Sequence, residues 1–234
     1  MTTDDITGPP VREEFDGGFA YPNLRLEFDE DAGVAALTVV GPTNHECFAP
    51  EPGPKRMRSR WWPLAVCREL DDALDVLGSH CPGMHTVELR TEGDSLAVAS
   101  ADVALTSGYD NDPFVREVVT YWTRTLCRLD VAEQSVLALV EPGSCFVGTL
   151  FELALAADVT SMADTADAPV EILLTGMNFG PLPCASGRTR LESRFPTQDE
   201  HLASLAARVG DPISAAEAVA LGLATELRRF VGDQ

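Results

Sequence analysis

Positive charge is scarce in this chain: 17 Lys and Arg stand against 37 Asp and Glu, a formal net charge of −20 over 234 residues. Nucleic-acid binding needs a basic surface to neutralise phosphates, so the balance argues against a nucleic-acid partner. Long apolar runs are missing too. None approaches the about 20 residues that a membrane span requires, and no membrane partner is expected. The N-terminal "MTTDDITGPPVREEFDGG" has no apolar core segment, so it is not a signal peptide. The six cysteines (Cys47, Cys67, Cys81, Cys127, Cys145 and Cys184) form no Cys-x-x-Cys pair, and the four histidines share no ligand spacing with them or with one another. That pattern reads as reduced thiols in a cytoplasmic protein, without a disulfide framework or a metal site.

Hydrophobic residues at 45% and charged residues at 23% are the balance of a soluble globular chain with one sizeable core. Residues 1–20 are expected to be a disordered acidic leader, and residues 21–234 a single domain. "LRLEFDEDAGVAALTVV", 24–40, reads as a β-hairpin. Residues 41–60 read as loop and end in a basic cluster, Lys55, Arg56, Arg58 and Arg60, either solvated charge or a patch for ligand phosphates. Leu64, Cys67, Leu70, Leu74 and Leu77 lie on one stripe of a helix that starts near Pro63, and residues 113–129 form a second amphipathic helix. Strands follow at 85–91, 135–140, 157–162 and 169–174, with helices around 199–208 and 214–222. Strands alternating with helices predict an α/β layered domain with largely parallel pairing.

The stretch "LVEPGSCFVGTLFELALAAD", 139–158, concentrates the chemistry. An apolar strand runs into a glycine-bearing turn and then into a helix with one carboxylate, Glu152. A helix mouth presents unpartnered backbone N–H groups and partial positive charge, suited to a carboxylate, a phosphate or a developing oxyanion. The bland alternative is a connecting turn. Glu152 either points inward, desolvated and fit for proton transfer, or is a surface acid favoured near a helix N-terminus. Cys145 either faces the site or is a small buried thiol. Trp61, Trp62 and Tyr121 are assigned to core packing before an aromatic pocket, and Asp102 and Asp158 to bonding backbone at loop ends.

"VEPGSCFVGTLFELALAAD" resembles the signature of the crotonase (enoyl-CoA hydratase/isomerase) superfamily, and "YPNLRLEFDEDAGVAALTV", "AVASADVAL" (97–105) and "DPISAAEAVALGLAT" (211–225) resemble its other landmarks in order. "RWWPLAVCRELDDALDVL", "LRTEGDSLAVASADVAL" and "MNFGPLPCASGRTRLESRF" are further similar to the second half of the larger benzoyl-CoA-dihydrodiol lyases. The resemblance implies a ββα spiral core with a shortened C-terminal helical region. It implies backbone N–H groups of Ala99 and Thr149 as an oxyanion hole for a thioester enolate, and Glu152 as the acid/base. Gly148, Gly176, Met177 and Cys145 would border the substrate. Coenzyme A would enter as part of that substrate, with Lys55 and Arg56 near its phosphates and no cofactor held permanently. The second acid/base glutamate of hydratases falls on Gly176, and neighbouring Glu171 lies inside a strand run. Isomerisation or lysis of an aromatic or alicyclic acyl thioester is therefore expected before simple hydration. A homotrimer or hexamer, or pairing with a second crotonase-like chain, completes the expectation. The alternatives are a non-catalytic subunit and an enzyme of specialised metabolism whose substrate lacks coenzyme A.

Overall fold

A computed structural model describes residues 9–43, 58–80, 83–165 and 168–229. In the run Leu24-Arg25-Leu26 the leucines are buried and the arginine is exposed, since successive side chains of a strand point to opposite faces. Strand β3 (Leu24–Asp29) and β4 (Val34–Val40) make the expected hairpin, paired antiparallel from Leu24↔Val39 to Asp29↔Val34. Ahead of them, β1 (Glu13–Phe15) pairs with β2 (Gly18–Ala20), and β2 with β3. This corrects the leader expectation, because residues 13–15 and 18–20 are strands of the sheet.

Beyond β4 the pairing becomes parallel. β5 (Thr86–Glu92), β6 (Ser135–Val140), β7 (Val159–Asp164) and β10 (Glu226–Arg229) extend the sheet to the order β1-β2-β3-β4-β5-β6-β7-β10. Parallel neighbours need long crossovers, and helices supply them. Helix α1 (Trp62–His80) joins β4 to β5. Helices α2 (Ser95–Tyr109) and α3 (Pro113–Leu129) lie between β5 and β6, and α4 (Gly148–Ala156) between β6 and β7. After β7 come β8 (Glu171–Leu173), a 3-10 turn (Gly176–Phe179), α5 (Arg190–Arg194), α6 (Asp199–Ala206), β9 (Pro212–Ser214) and α7 (Ala215–Ala220). β8 and β9 pair antiparallel as a separate small sheet.

The apolar faces read from the sequence are the buried ones. On α1, Leu64, Cys67, Leu70 and Leu77 are in the core and Leu74 is half-buried against it; on α3, Val115, Val118, Val119, Trp122, Leu126 and Leu129 are in the core. The Trp62 indole donates to the Val40 carbonyl at 3.0 Å, the Trp122 indole to that of Pro63 at 2.7 Å, and the Tyr121 hydroxyl to Asp71 at 3.0 Å. These aromatics therefore pack and anchor. Asp158 accepts the Val136 N–H at 2.8 Å, the loop-end role expected of it. The segment 97–105, one of the landmarks of the resemblance, lies wholly inside α2, whose N-terminus is capped by the Asp94 carboxylate on the Leu96 N–H.

Candidate functional site

The bare turn at the start of α4 has a specific cause. Gly148 adopts φ +44°, and a methyl group built on it would overlap the Asp102 carboxylate and the Thr175 side chain. Asp102, on α2, is 1% exposed. Its Oδ2 accepts the Thr149 N–H at 2.9 Å and the Thr175 hydroxyl at 2.7 Å, and its Oδ1 accepts the Thr149 hydroxyl at 2.6 Å. The mouth of α4 thus holds an anion, as its dipole favours, and that anion is the protein's own carboxylate. Burial pushes the Asp102 carboxyl up to about 6, against the opposing pull of its three hydrogen bonds.

Ala99 is the fifth residue of α2, where a helix N–H bonds the carbonyl four residues back. In this conformation the Thr149 N–H is engaged by Asp102 and the Ala99 N–H belongs to the helical ladder, so neither stands open to a substrate oxygen. Of the remaining residues assigned to the substrate, Met177 is buried and its N–H donates to the Thr175 hydroxyl at 3.2 Å. Gly176 is exposed at the start of the 3-10 turn, and a methyl group there would sit at ordinary distance, 3.5 Å, from Thr106. Cys145 is fully buried beside Gly41 and Gly93, and burial pushes its thiol up to about 11; the small buried thiol is what the geometry presents. Glu171 is exposed on β8, paired with Ser214.

Glu152 points inward and is 1% exposed. Its Oε1 accepts from Asn178 Nδ2 at 2.6 Å and its Oε2 from an Arg190 terminal nitrogen at 3.1 Å. Asn178 Nδ2 also donates to the Gly148 carbonyl at 2.9 Å, and its Oδ1 accepts the Thr175 N–H at 3.0 Å. One amide therefore joins the Glu152 carboxylate to the turn that Asp102 occupies. Arg190 in turn grips Asp130 with two nitrogens, at 3.0 and 2.7 Å. Burial raises the Glu152 carboxyl to about 7, with Arg190 the largest opposing influence. Desolvation outweighs the cation, which leaves a carboxyl able to give or take a proton near neutrality.

Thr175, Asn178, Arg190 and Asp130 escaped the sequence reading. The available signals were the capping boxes Thr175/Asn178 and Thr189/Glu192, which mark turns that return polar groups toward α4. Lys55 and Arg56 lie outside the described residues. From the same basic cluster, Arg58 stacks over the Phe114 ring at 4.9 Å, and Arg60 lines a cavity of about 490 Å³ with Asn23, Arg68 and Glu69. Among the described residues no group of three His, Cys, Asp or Glu could hold a metal ion, and no helix is long and apolar enough to cross a membrane.

The sheet of largely parallel strands with its crossover helices is a crotonase-like fold, and comparison with solved structures agrees. The enoyl-CoA hydratase of Geobacillus kaustophilus HTA426 superposes with TM-score 0.58 at 17% identity, over 94% of this chain and 70% of that one. The enoyl-CoA hydratase of Bacillus anthracis gives 0.57 at 21% identity, over 88% of this chain and 70% of that one. No protein-family model matches the chain. In sequence, the benzoyl-CoA-dihydrodiol lyase of Aromatoleum evansii is 40% identical over 216 residues, 90% of this chain and 38% of the lyase. The chain thus shares the fold of these enoyl-CoA hydratases and is similar in sequence to part of that lyase. It spans well under half the length of that lyase.

Proposed function

We propose that the chain is a crotonase-type enzyme acting on an acyl-CoA-type thioester, as a lyase or isomerase rather than a simple hydratase. The observation that carries this reading is Glu152, a buried carboxyl raised to about 7, one turn inside the helix mouth. A group so poised can move a proton at the carbon next to a thioester carbonyl while the carbonyl oxygen takes up the enolate charge. The backbone N–H groups of Ala99 and Thr149 remain the proposed oxyanion donors. For Thr149 the step requires Asp102 to release the N–H that it holds at 2.9 Å, and for Ala99 it requires the first turn of α2 to open and free its N–H. An aromatic or alicyclic acyl group is suggested by likeness to a benzoyl-CoA-dihydrodiol lyase. Coenzyme A would arrive with the substrate.

A second reading rests on a different observation. Both Glu152 oxygens and the Thr149 N–H are already satisfied internally, and the chain matches 38% of a larger lyase. On that reading the chain is a crotonase-fold subunit that completes a site with another chain, as a homo-oligomer or beside a second crotonase-like protein. Titration with benzoyl-CoA, short acyl-CoA esters and free coenzyme A, read by thermal shift, separates the two. Ligand at 100 times its dissociation constant stabilises by about 2.7 kcal/mol, a rise of several degrees. A thioester shift, with turnover lost in Glu152→Gln, supports the enzyme. Turnover undiminished in Glu152→Gln removes the acid/base role. No shift with any thioester, alongside stable capture of a second crotonase-like chain, favours the subunit.

A further inference from the structure

Arg190 and Asp130 lie 60 residues apart in sequence, yet the fold joins them to Glu152 in one line. The Glu152 carboxylate is 1% exposed and the Arg190 side chain 3%, whereas Asp130, just past the end of α3, is 22% exposed. The line therefore runs from the interior of α4 to the surface. Arg190 spends Nε and one terminal nitrogen on Asp130 in a bidentate grip and turns the other terminal nitrogen to Glu152 and the Leu182 carbonyl. A planar guanidinium fixed on one edge by a fork cannot swing, so its free edge has one direction in which to point. Asn178 closes the opposite side of Glu152.

We propose that Arg190, locked by Asp130, is the positioning residue for Glu152, and that Asp130 sets how much of the guanidinium charge Glu152 feels. This rests on the proton-transfer role proposed for Glu152. The groups facing that carboxyl are Arg190 from α5, Asp130 beyond α3, Asn178 from the 3-10 turn and Cys184 from the loop ahead of α5; Asp102 of α2 stands beyond Gly148. Arg190 favours the Glu152 anion and Asp130 disfavours it. Removing one charge or the other must then move Glu152 in opposite directions. A purely structural pair would move it one way in both variants, as water entered a loosened site.

The test uses the full chain with carbon-13 in its glutamate carboxyl groups, the Glu152 resonance being assigned by its loss in Glu152→Gln. Asp130→Asn keeps one oxygen to accept from Arg190 Nε, so the guanidinium stays seated while the negative charge goes. That variant should then lower the Glu152 midpoint and Arg190→Gln should raise it, each by about one pH unit. The acidic limb of the thioester pH–rate profile should follow in the same directions. If Arg190→Gln does not fold, Arg190→Lys replaces it; a point charge without the fork should shift the midpoint upward by less. An Asp130→Asn midpoint that rises or stays in place, in a protein that melts cooperatively, overturns the proposal. Opposite shifts with turnover unchanged in Glu152→Gln would retain the positioning role and remove the enzymatic one. Glu152-dependent turnover with an unmoved Asp130→Asn midpoint would do the reverse.

Discussion

At the level of single residues, Gly148 is the position with least freedom. Its φ of +44° lies in the left-handed region, and the space where a side chain would begin is held by Asp102 and Thr175. Gly148→Ala should therefore carry two penalties, the left-handed conformation and the displacement of a buried carboxylate, together about 3 kcal/mol. Urea unfolding should register it as a lower midpoint at unchanged slope. A loss below about 0.5 kcal/mol would mean that the turn relaxes freely and that Asp102 is not seated tightly against it. Glu152 stood out in the sequence because one acid interrupts an apolar helical run, but the sequence left a surface acid equally open, and it is the packing of α4 that turns it inward. Its partners were not legible. Asn178 and Arg190 stand 26 and 38 residues downstream, and neither interrupts a pattern.

Among the elements, legibility followed periodicity. Helix α3 and strand β6 were read at their observed bounds, because one alternates faces at 3.6 residues and the other is uniformly apolar between turns. Helix α2 was not read, since "SLAVASADVALTSGY" is made of small and apolar residues with no charged face to set a period. Strands β1 and β2, three residues each, are too short to alternate. Beside the apolar contacts of Ala97, Val98, Ala101 and Leu105, Asp102 ties α2 to the first turn of α4 and to Thr175 ahead of the 3-10 turn. Asp102→Ala would leave the Thr149 N–H and two hydroxyls without their acceptor and should cost about 2–4 kcal/mol. The loss should be local. Amide hydrogen exchange should accelerate in the first turn of α4 and across 176–179, while the amides of α1 and α3 keep their protection. Equal acceleration in α1 and α3 would contradict the pinning role.

For the molecule as a whole, two sealed carboxyls and a large negative charge act on stability in the same sense. Asp102 moves from an ordinary 3.8 to about 6 on folding, and Glu152 from 4.5 to about 7. A carboxyl raised by folding holds its proton more tightly in the native state. Its contribution is fully present below the unfolded value and is lost as pH rises through the folded one. For Asp102 that window runs from 3.8 to about 6, and for Glu152 from 4.5 to about 7. The net charge of −20 adds self-repulsion over the same range. Stability should therefore be greater near pH 5 than near pH 8 by about 2–4 kcal/mol, read as a higher melting temperature. Salt separates the two causes: it screens repulsion between surface charges, and it acts weakly on groups only 1% exposed. At pH 8, added salt should recover part of the loss. Asp102→Asn, an amide that does not ionise, should flatten the slope between pH 4 and 6 at any ionic strength. A melting temperature that rises steadily from pH 5 to pH 8 would mean that Asp102 and Glu152 reach solvent when they ionise, and that the centre beside α4 is open where the structure has it closed.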